Sequence, residues 1–285
     1  MQFSKYHALG NDYLVVDPAH HPHAFAVAEI IRICHRNFGV GSDGILWGPL
    51  PGRDGAAFAL RIFNPDGSET QKSGNGLRIF CRYLFDKGLV QHAPFRVHTL
   101  GGVVEATVHA EGQSVTVAMG CVSFDSARIP VAGPAREAIR ESLQVGGETL
   151  TFTSATIGNP HCVIERAGTS TADVHRLGPL VENHALFPER TNVQFLTLRD
   201  RSNIGIEIWE RGAGYTLASG SSASAATAVA HRLGLIDNAV TVHMPGGTIE
   251  IKIGENYAIT MTGAVTKVAD GVMVNEAFSE WKSNE

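Results

Sequence analysis

Two stretches of this chain read as copies of one another. Asn64 to Gly76 ends in Ser73-Gly74-Asn75-Gly76, and Glu210 to Ser222 ends in Ser219-Gly220-Ser221-Ser222, so the two serines stand 146 residues apart. Leu60 to Phe63 matches Ile206 to Trp209 at the same spacing, and Gly10 to Asp17 matches Gly158 to Glu165 at 148. Gly101 to Val108 with Val115 to Gly120 matches Gly246 to Ile253 with Ile259 to Gly263. Solenoid repeats recur every 20 to 50 residues or so; here the unit is a half-chain of roughly 145 residues, a comfortable size for one domain. Such a chain folds as two related domains. Their boundaries are placed at 1–120, joined by a C-terminal strand segment 264–285, and at 121–263.

Composition agrees with two ordinary cores. Of the 285 residues, 44% are hydrophobic and 18% charged, and mean hydropathy is +0.01, which excludes a disordered chain. No run approaches 18 apolar residues and the start lacks the apolar stretch of a signal peptide, so the expectation is a cytoplasmic protein without a membrane span. With a net charge of −5 and scattered Lys and Arg there is no footprint for nucleic acid, and a small-molecule partner is expected. Cys34, Cys81, Cys121 and Cys162 show no C-x-x-C spacing and read as buried reduced thiols. His20, His21 and His23 flank Pro22 and read as a loop, not a metal site.

Alternation and β-branched content predict strands at Phe3–Lys5, Tyr13–Asp17, Ile45–Gly48, Phe58–Phe63, Phe95–Thr99, Val103–Val108 and Val115–Met119, repeated in the second half. Helices are predicted at Phe25–Asn37, Gly74–Lys87, Pro134–Leu143 and Gly220–Leu233. Ser73 and Ser219 stand where N-caps belong, and Gly88 and Gly234 where helices stop. The economical architecture is α+β, a central helix packed in a mostly antiparallel sheet in each half.

A helix start offers unpaired N–H groups and a partial positive charge, which suits a carboxylate. Glycine at 74, 76 and 220 keeps side chains off those amides. Singly, each serine is adequately explained as a cap; together with the duplicated polar segments that lead into them, they point to a paired device for acting on both faces of one carbon.

Gly10-Asn11-Asp12-Tyr13, Asn64 to Glu69, Ser73 to Gly76, Gly158-Asn159-Pro160-His161, Arg190-Thr191-Asn192-Val193 and Glu210 to Gly214 together resemble the diaminopimelate epimerases, in the right order from Met1 to about Gly271. The resemblance implies two pseudo-symmetric domains, each a helix wrapped by a barrel-like sheet, with the site in the cleft between them. It implies inversion at an amino-acid α-carbon without cofactor: no metal, flavin or pyridoxal phosphate. By the same resemblance Ser73 and Ser219 take the catalytic positions, with His161 and Glu210 beside them and Glu210 holding the α-amino group. Gly74, Asn75, Gly220 and Ser221 would offer N–H groups to the α-carboxylate, and Asn11, Asn64, Asn159, Asn192 and Arg211 would bind the distal end of the amino acid. A homodimer is usual in the family. Asp43 reads as a turn residue.

The family's acid and base at these two positions are cysteines, and here both are hydroxyls. A hydroxyl ionises nearer to water, at about 15.7, than to a thiol at about 8.5. Three readings stay open: an epimerase whose thiols have been replaced, a serine branch acting on diaminopimelate or another amino acid with His161 or Glu210 moving protons, and a non-catalytic amino-acid binding protein. Tyr215, where a smaller or acidic residue often stands, is expected to reshape the pocket.

Overall fold

In a computed structural model, residues 1–279 are described. The chain divides into a first unit of residues 1–117 and 263–285 and a second of 118–262. Residues 280–285 of the expected C-terminal segment lie outside the described residues.

In the first unit β1 (Gln2–Ala8) pairs antiparallel with β2 (Asn11–Val16). Helix α1 (Val27–Cys34) crosses over to β3 (Ile45–Pro51), which runs parallel to β2. β4 (Phe58–Phe63) returns antiparallel to β3 and carries the short β5 (Glu69–Thr70). Then α2 (Gly74–Asp86) leads to β6 (Phe95–Thr99), parallel to β4, and to the meander of β7 (Gly102–His109) and β8 (Ser114–Cys121).

The second unit repeats this plan. β9 (Glu141–Val145), β10 (Glu148–Thr156) and β11 (Pro160–Glu165) are antiparallel neighbours, and α3 (Thr171–Glu182) crosses over to the parallel β12 (Asn192–Asp200). β13 (Asn203–Glu210) and the short β14 (Gly214–Thr216) lead into α4 (Gly220–Arg232). β15 (Ala239–Met244) lies parallel to β13, followed by β16 (Gly247–Ile253) and β17 (Ala258–Ala264). β18 (Thr266–Val272) belongs to the first unit again, antiparallel to β1, and a last turn of helix, α5, covers Glu276–Ser279. Each unit thus places parallel pairs at the same two joints and antiparallel pairs elsewhere, which is the two-domain α+β repeat expected from the duplication.

The two central helices are buried on nearly every side, but with different side chains. α2 buries Leu77, Ile79, Phe80, Tyr83 and Leu84, each large apolar side chain stabilising by about 1.5–3 kcal/mol. α4 buries Ala223, Ala225, Ala226, Ala228 and Ala230 and touches β10, β11, β12, β13, β15 and β16. Small residues let the sheet close tightly around its backbone. Both helices end where a glycine takes a left-handed turn, Gly88 at φ 69° and Gly234 at φ 74°, a conformation that costs a side chain with Cβ.

Three expectations need correction. Residues 134–140 form no helix: Pro134 follows Gly133 at φ 105°, Arg140 sits at φ 49°, and β9 begins at Glu141. Arg136 turns its guanidinium onto Glu141 while its backbone N–H donates to Ser126 Oγ at 3.0 Å, so the segment is held by tertiary bonds instead. α1 stops at Cys34 because His35 is extended (ψ 122°), which leaves Arg36 free to reach Asp12 and Asp43. Cys34, Cys81 and Cys162 are buried free thiols, but Cys121, at the end of β8 where the alternation of buried and exposed residues stops, is exposed.

Two helices went unread, the short α5 (Glu276–Ser279), where a strand segment was expected, and α3. Gly178 and Pro179 lie inside it and argue against a helix, yet its start is well marked: Ser170 Oγ accepts from Asp173 N at 3.2 Å and Asp173 Oδ2 accepts from Ser170 N at 3.1 Å. Gly178 is needed because a Cβ there would sit 2.6 Å from the Trp209 ring. Among the described residues no helix is long and apolar enough to cross a membrane.

Candidate functional site

The expected catalytic serines stand at two helix starts, one in each unit. In the first, Ser73 is extended (φ −136°, ψ 119°) and its Oγ accepts from Gly76 N at 3.0 Å. Gly76 permits this, since a Cβ there would stand 3.2 Å from Ser73 Oγ. Tyr13 OH lies 3.4 Å from the same oxygen. Behind the cap runs a chain of amides. Asn75 Nδ2 donates to Asn11 Oδ1 at 3.0 Å, and Asn11 Nδ2 donates to Asp43 Oδ2 at 2.9 Å. Asp43 also accepts from Asp12 N at 3.0 Å and from Arg36 at 2.6 Å, and Asp12 pairs with Lys5 and Arg36 at 2.8 Å each. Burial alone would push the Asp12 carboxyl up, but its bonds to Arg36 and Lys5 outweigh this and hold it below the ordinary range.

On the inner side of α2, Arg78 is fully buried and donates through Nη2 to Asn75 Oδ1 and through Nε to Gly74 O at 3.4 Å. Burial pushes its guanidinium down to about 10. Asn64 is tied into its own turn, donating to Ser68 Oγ at 3.0 Å.

The second helix start has the same backbone and different chemistry. Ser219 (φ −142°, ψ 123°) accepts from Ser222 N at 3.3 Å, and Ser221 Oγ lies 3.4 Å from Ser219 Oγ. Asn159 Nδ2 donates to Ser221 Oγ at 3.5 Å, and its Oδ1 lies 3.0 Å from His161 Nε2. His161 is fully buried, and burial pushes its imidazole down to about 3, so the ring is neutral at physiological pH. Its hydrogen bond goes to Asn159 and not to Ser219. Ser224 Oγ donates back to Gly220 O at 2.7 Å, the counterpart of the Arg78 bond to Gly74 O 146 residues earlier.

Asn192 is a brace: its Nδ2 donates to Pro160 O at 2.8 Å and its Oδ1 accepts from Arg211 N at 3.0 Å. Arg211 Nη1 donates to Glu189 O at 3.0 Å, and Glu210 Oε2 accepts from Thr216 Oγ1 at 3.4 Å. Tyr215 packs against the apolar cluster under α3, 5.2 Å from the His175 ring, and donates to Glu207 at 2.9 Å. The structure therefore joins Ser73 with Asn75 and Asn11 in one unit, and Ser219 with Ser221, Asn159 and His161 in the other. Two contributors were not read from sequence. Asp43 looked like a turn residue because its bonds to Asn11 and Arg36 are tertiary. Gln194, which donates to Ser222 Oγ at 3.0 Å, gave no local signal at all.

A duplicated α+β chain that builds one capped helix start twice, each backed by a half-buried asparagine, has the fold of solved racemases and epimerases. Its sequence matches the profile of diaminopimelate epimerase over residues 3–124 and 153–268. It is 56% identical over 279 residues to diaminopimelate epimerase 2 of a Nostoc species, covering 98% of each chain. To the diaminopimelate epimerase of Desulfitobacterium hafniense it is 39% identical, covering 98% of this chain and 100% of that one. A solved hydroxyproline epimerase from Agrobacterium vitis shares the fold, with a TM-score of 0.68 at 16% identity over 95% of this chain and 91% of that one. The chain belongs to the diaminopimelate epimerase family.

Proposed function

We propose that the chain is an isomerase, a cofactor-independent amino-acid epimerase that interconverts LL- and meso-diaminopimelate. The observation that carries this reading is the pair of serine caps, with matching backbone angles and matching Oγ to N–H bonds, in a chain of this family. Inversion needs a proton acceptor on one face of the α-carbon and a donor on the other; Ser73 and Ser219 take these roles. The N–H groups of Gly74, Asn75, Gly220 and Ser221 hold the α-carboxylate and stabilise the charge that builds on it as the α-proton leaves. Glu210 holds the α-ammonium. Asn11, Asn64, Asn159, Asn192 and Arg211 serve the distal end: in Asn11, Asn159 and Asn192 one amide N–H is committed to the protein, and the second is left to donate to a carboxylate.

The hydroxyl pair sets the rate. Even a pKa gap of about five units relative to thiols costs roughly 7 kcal/mol, and a helix N-terminus returns at most about 2 kcal/mol. The enzyme is therefore expected to be slow. The reading extends to a cytoplasmic homodimer; Val268 and Val272 on β18 and Val274 beyond it, each more than half exposed, leave apolar surface for a second copy.

The test is conversion of LL-diaminopimelate by the purified protein, followed by chiral chromatography, with its mass in solution measured alongside. Accumulation of the meso isomer supports the reading; tight binding with no meso isomer over days rules it out.

A further inference from the structure

Arg78 is fully buried on α2, where an arginine is almost never found without a partner of opposite charge. Among the described residues no carboxylate pairs with it or offsets its burial, and its Nη1 has no hydrogen-bond partner. The charge also stands at the wrong end of its helix. A helical side chain turns back toward the N-terminus, and the two groups that Arg78 reaches, Gly74 O and Asn75 Oδ1, both lie in the first turn. That end of a helix carries a partial positive charge, so without an anion both desolvation and the dipole work against Arg78.

Both contacts fall on groups expected to hold such an anion. Gly74 O belongs to the peptide whose N–H is that of Asn75, and Arg78 Nε donates to this oxygen at 3.4 Å. A donor on the oxygen of a peptide polarises its N–H toward an acceptor on the other side. A guanidinium only donates, so Asn75 Oδ1 is fixed on Nη2, and the Asn75 NH2 is left for Asn11 Oδ1 at 3.0 Å. The second unit offers the comparison. Ser224, 146 residues further on, donates to Gly220 O at 2.7 Å and carries no charge.

We propose that Arg78 is a positioning residue for the substrate's α-carboxylate: a buried cation that strengthens the hold of the α2 start on that anion, through the Gly74–Asn75 peptide and the Asn75 side chain. The inference rests on the reading that this helix start holds the carboxylate. Arg78 acts from behind the backbone and takes no part in proton transfer. Its charge is balanced only when the anion arrives, so part of the cost of burying it is returned as affinity.

A thiol at position 73 tests this without substrate, because its thiolate is an anion at the same helix start. In Ser73→Cys the pH dependence of alkylation at that peptide gives the thiol pKa. Adding Arg78→Met is expected to raise it by about one unit, a roughly tenfold loss of thiolate. Arg78→Lys, which keeps the charge without the planar fork, is expected to restore most of the shift, and Arg78→Gln, which keeps a donor without the charge, is not. An unchanged thiol in Arg78→Met, or equal recovery with lysine and glutamine, overturns the proposal. Calorimetric affinity for LL-diaminopimelate, measured with Ser73 in place, is expected to follow the same order, about tenfold weaker in Arg78→Met. Binding without turnover would remove the epimerase reading and leave this inference standing, whereas binding unaltered by Arg78→Met would remove this inference alone. Where Arg78→Met fails to fold, the lysine and glutamine variants still separate charge from shape.

Discussion

The two helix starts share a backbone and differ in what stands behind it. Behind Ser73 the amide of Asn11 leans on a charged cluster, Asp43 with Arg36, Asp12 and Lys5, and it turns its carbonyl oxygen to the helix. Behind Ser219 the amide of Asn159 leans on a neutral, fully buried imidazole and turns its NH2 to the helix. Inside the first helix Arg78 reaches back to Gly74 O, and inside the second Ser224 does the same to Gly220 O. Duplication preserved the cap while the supporting side chains diverged, to a charged cluster behind Ser73 and a buried neutral ring behind Ser219.

The largest expected effect comes from restoring thiols one side at a time. Ser73→Cys and Ser219→Cys are each expected to speed α-proton exchange from one stereoisomer more than from the other, by up to about 10⁵-fold if most of the roughly 7 kcal/mol hydroxyl penalty is removed. Exchange rates measured separately from LL- and meso-diaminopimelate check this, and equal acceleration from both would erase the asymmetry.

Packing of the central helices gives the next contrast. Phe80 and Ala226 are equivalent positions and both are fully buried. Phe80→Ala is expected to cost about 3–5 kcal/mol through the cavity it leaves. Ala226→Phe is expected to cost at least about 1–3 kcal/mol through overpacking. Denaturant titration of both variants reads the difference.

Acid stability separates the units as well. His161 titrates near 3 in the fold against about 6.5 unfolded. Below pH 6.5 the unfolded chain therefore takes up a proton that the fold refuses, and stability falls by up to about 1.4 kcal/mol per pH unit down to about pH 3. His161→Gln is expected to flatten that slope between pH 6 and 4.5. Asp12 acts lower: its depressed carboxyl contributes stability above about pH 4, lost as pH falls through its folded value.

The smallest effect is expected at Arg78. A buried guanidinium without a carboxylate partner is a poor source of stability, so Arg78→Met is expected to change unfolding free energy by less than about 2 kcal/mol. It should loosen Asn75 and raise KM. A larger loss of stability would show that the Asn75 bond outweighs the desolvation.

The duplication and the two serine-capped helices were legible because caps, glycine stops and strand alternation are local signals. What was missed is instructive. α3 occupies in the second unit the place of α1 in the first, each crossing between parallel strands; the repeat demanded a helix there although Gly178 and Pro179 argued against it. The segment 134–143 has helical composition, but Arg136 and Arg140 are spent on Glu141 and Glu165. At the site, the serines and Asn residues could be named, whereas Asp43 and Gln194 act only through tertiary bonds that no sequence spacing reveals.

Under the proposed function, the Ser73 and Ser219 hydroxyls do the work of the family's two thiols. The most direct measurement is deuterium incorporation at the α-carbon of LL-diaminopimelate in D2O, comparing the unaltered protein with the Ser73→Cys, Ser219→Cys double variant. Slow incorporation with meso product in the first, and faster incorporation by several orders of magnitude in the second, is the predicted result. No incorporation in either protein would contradict it.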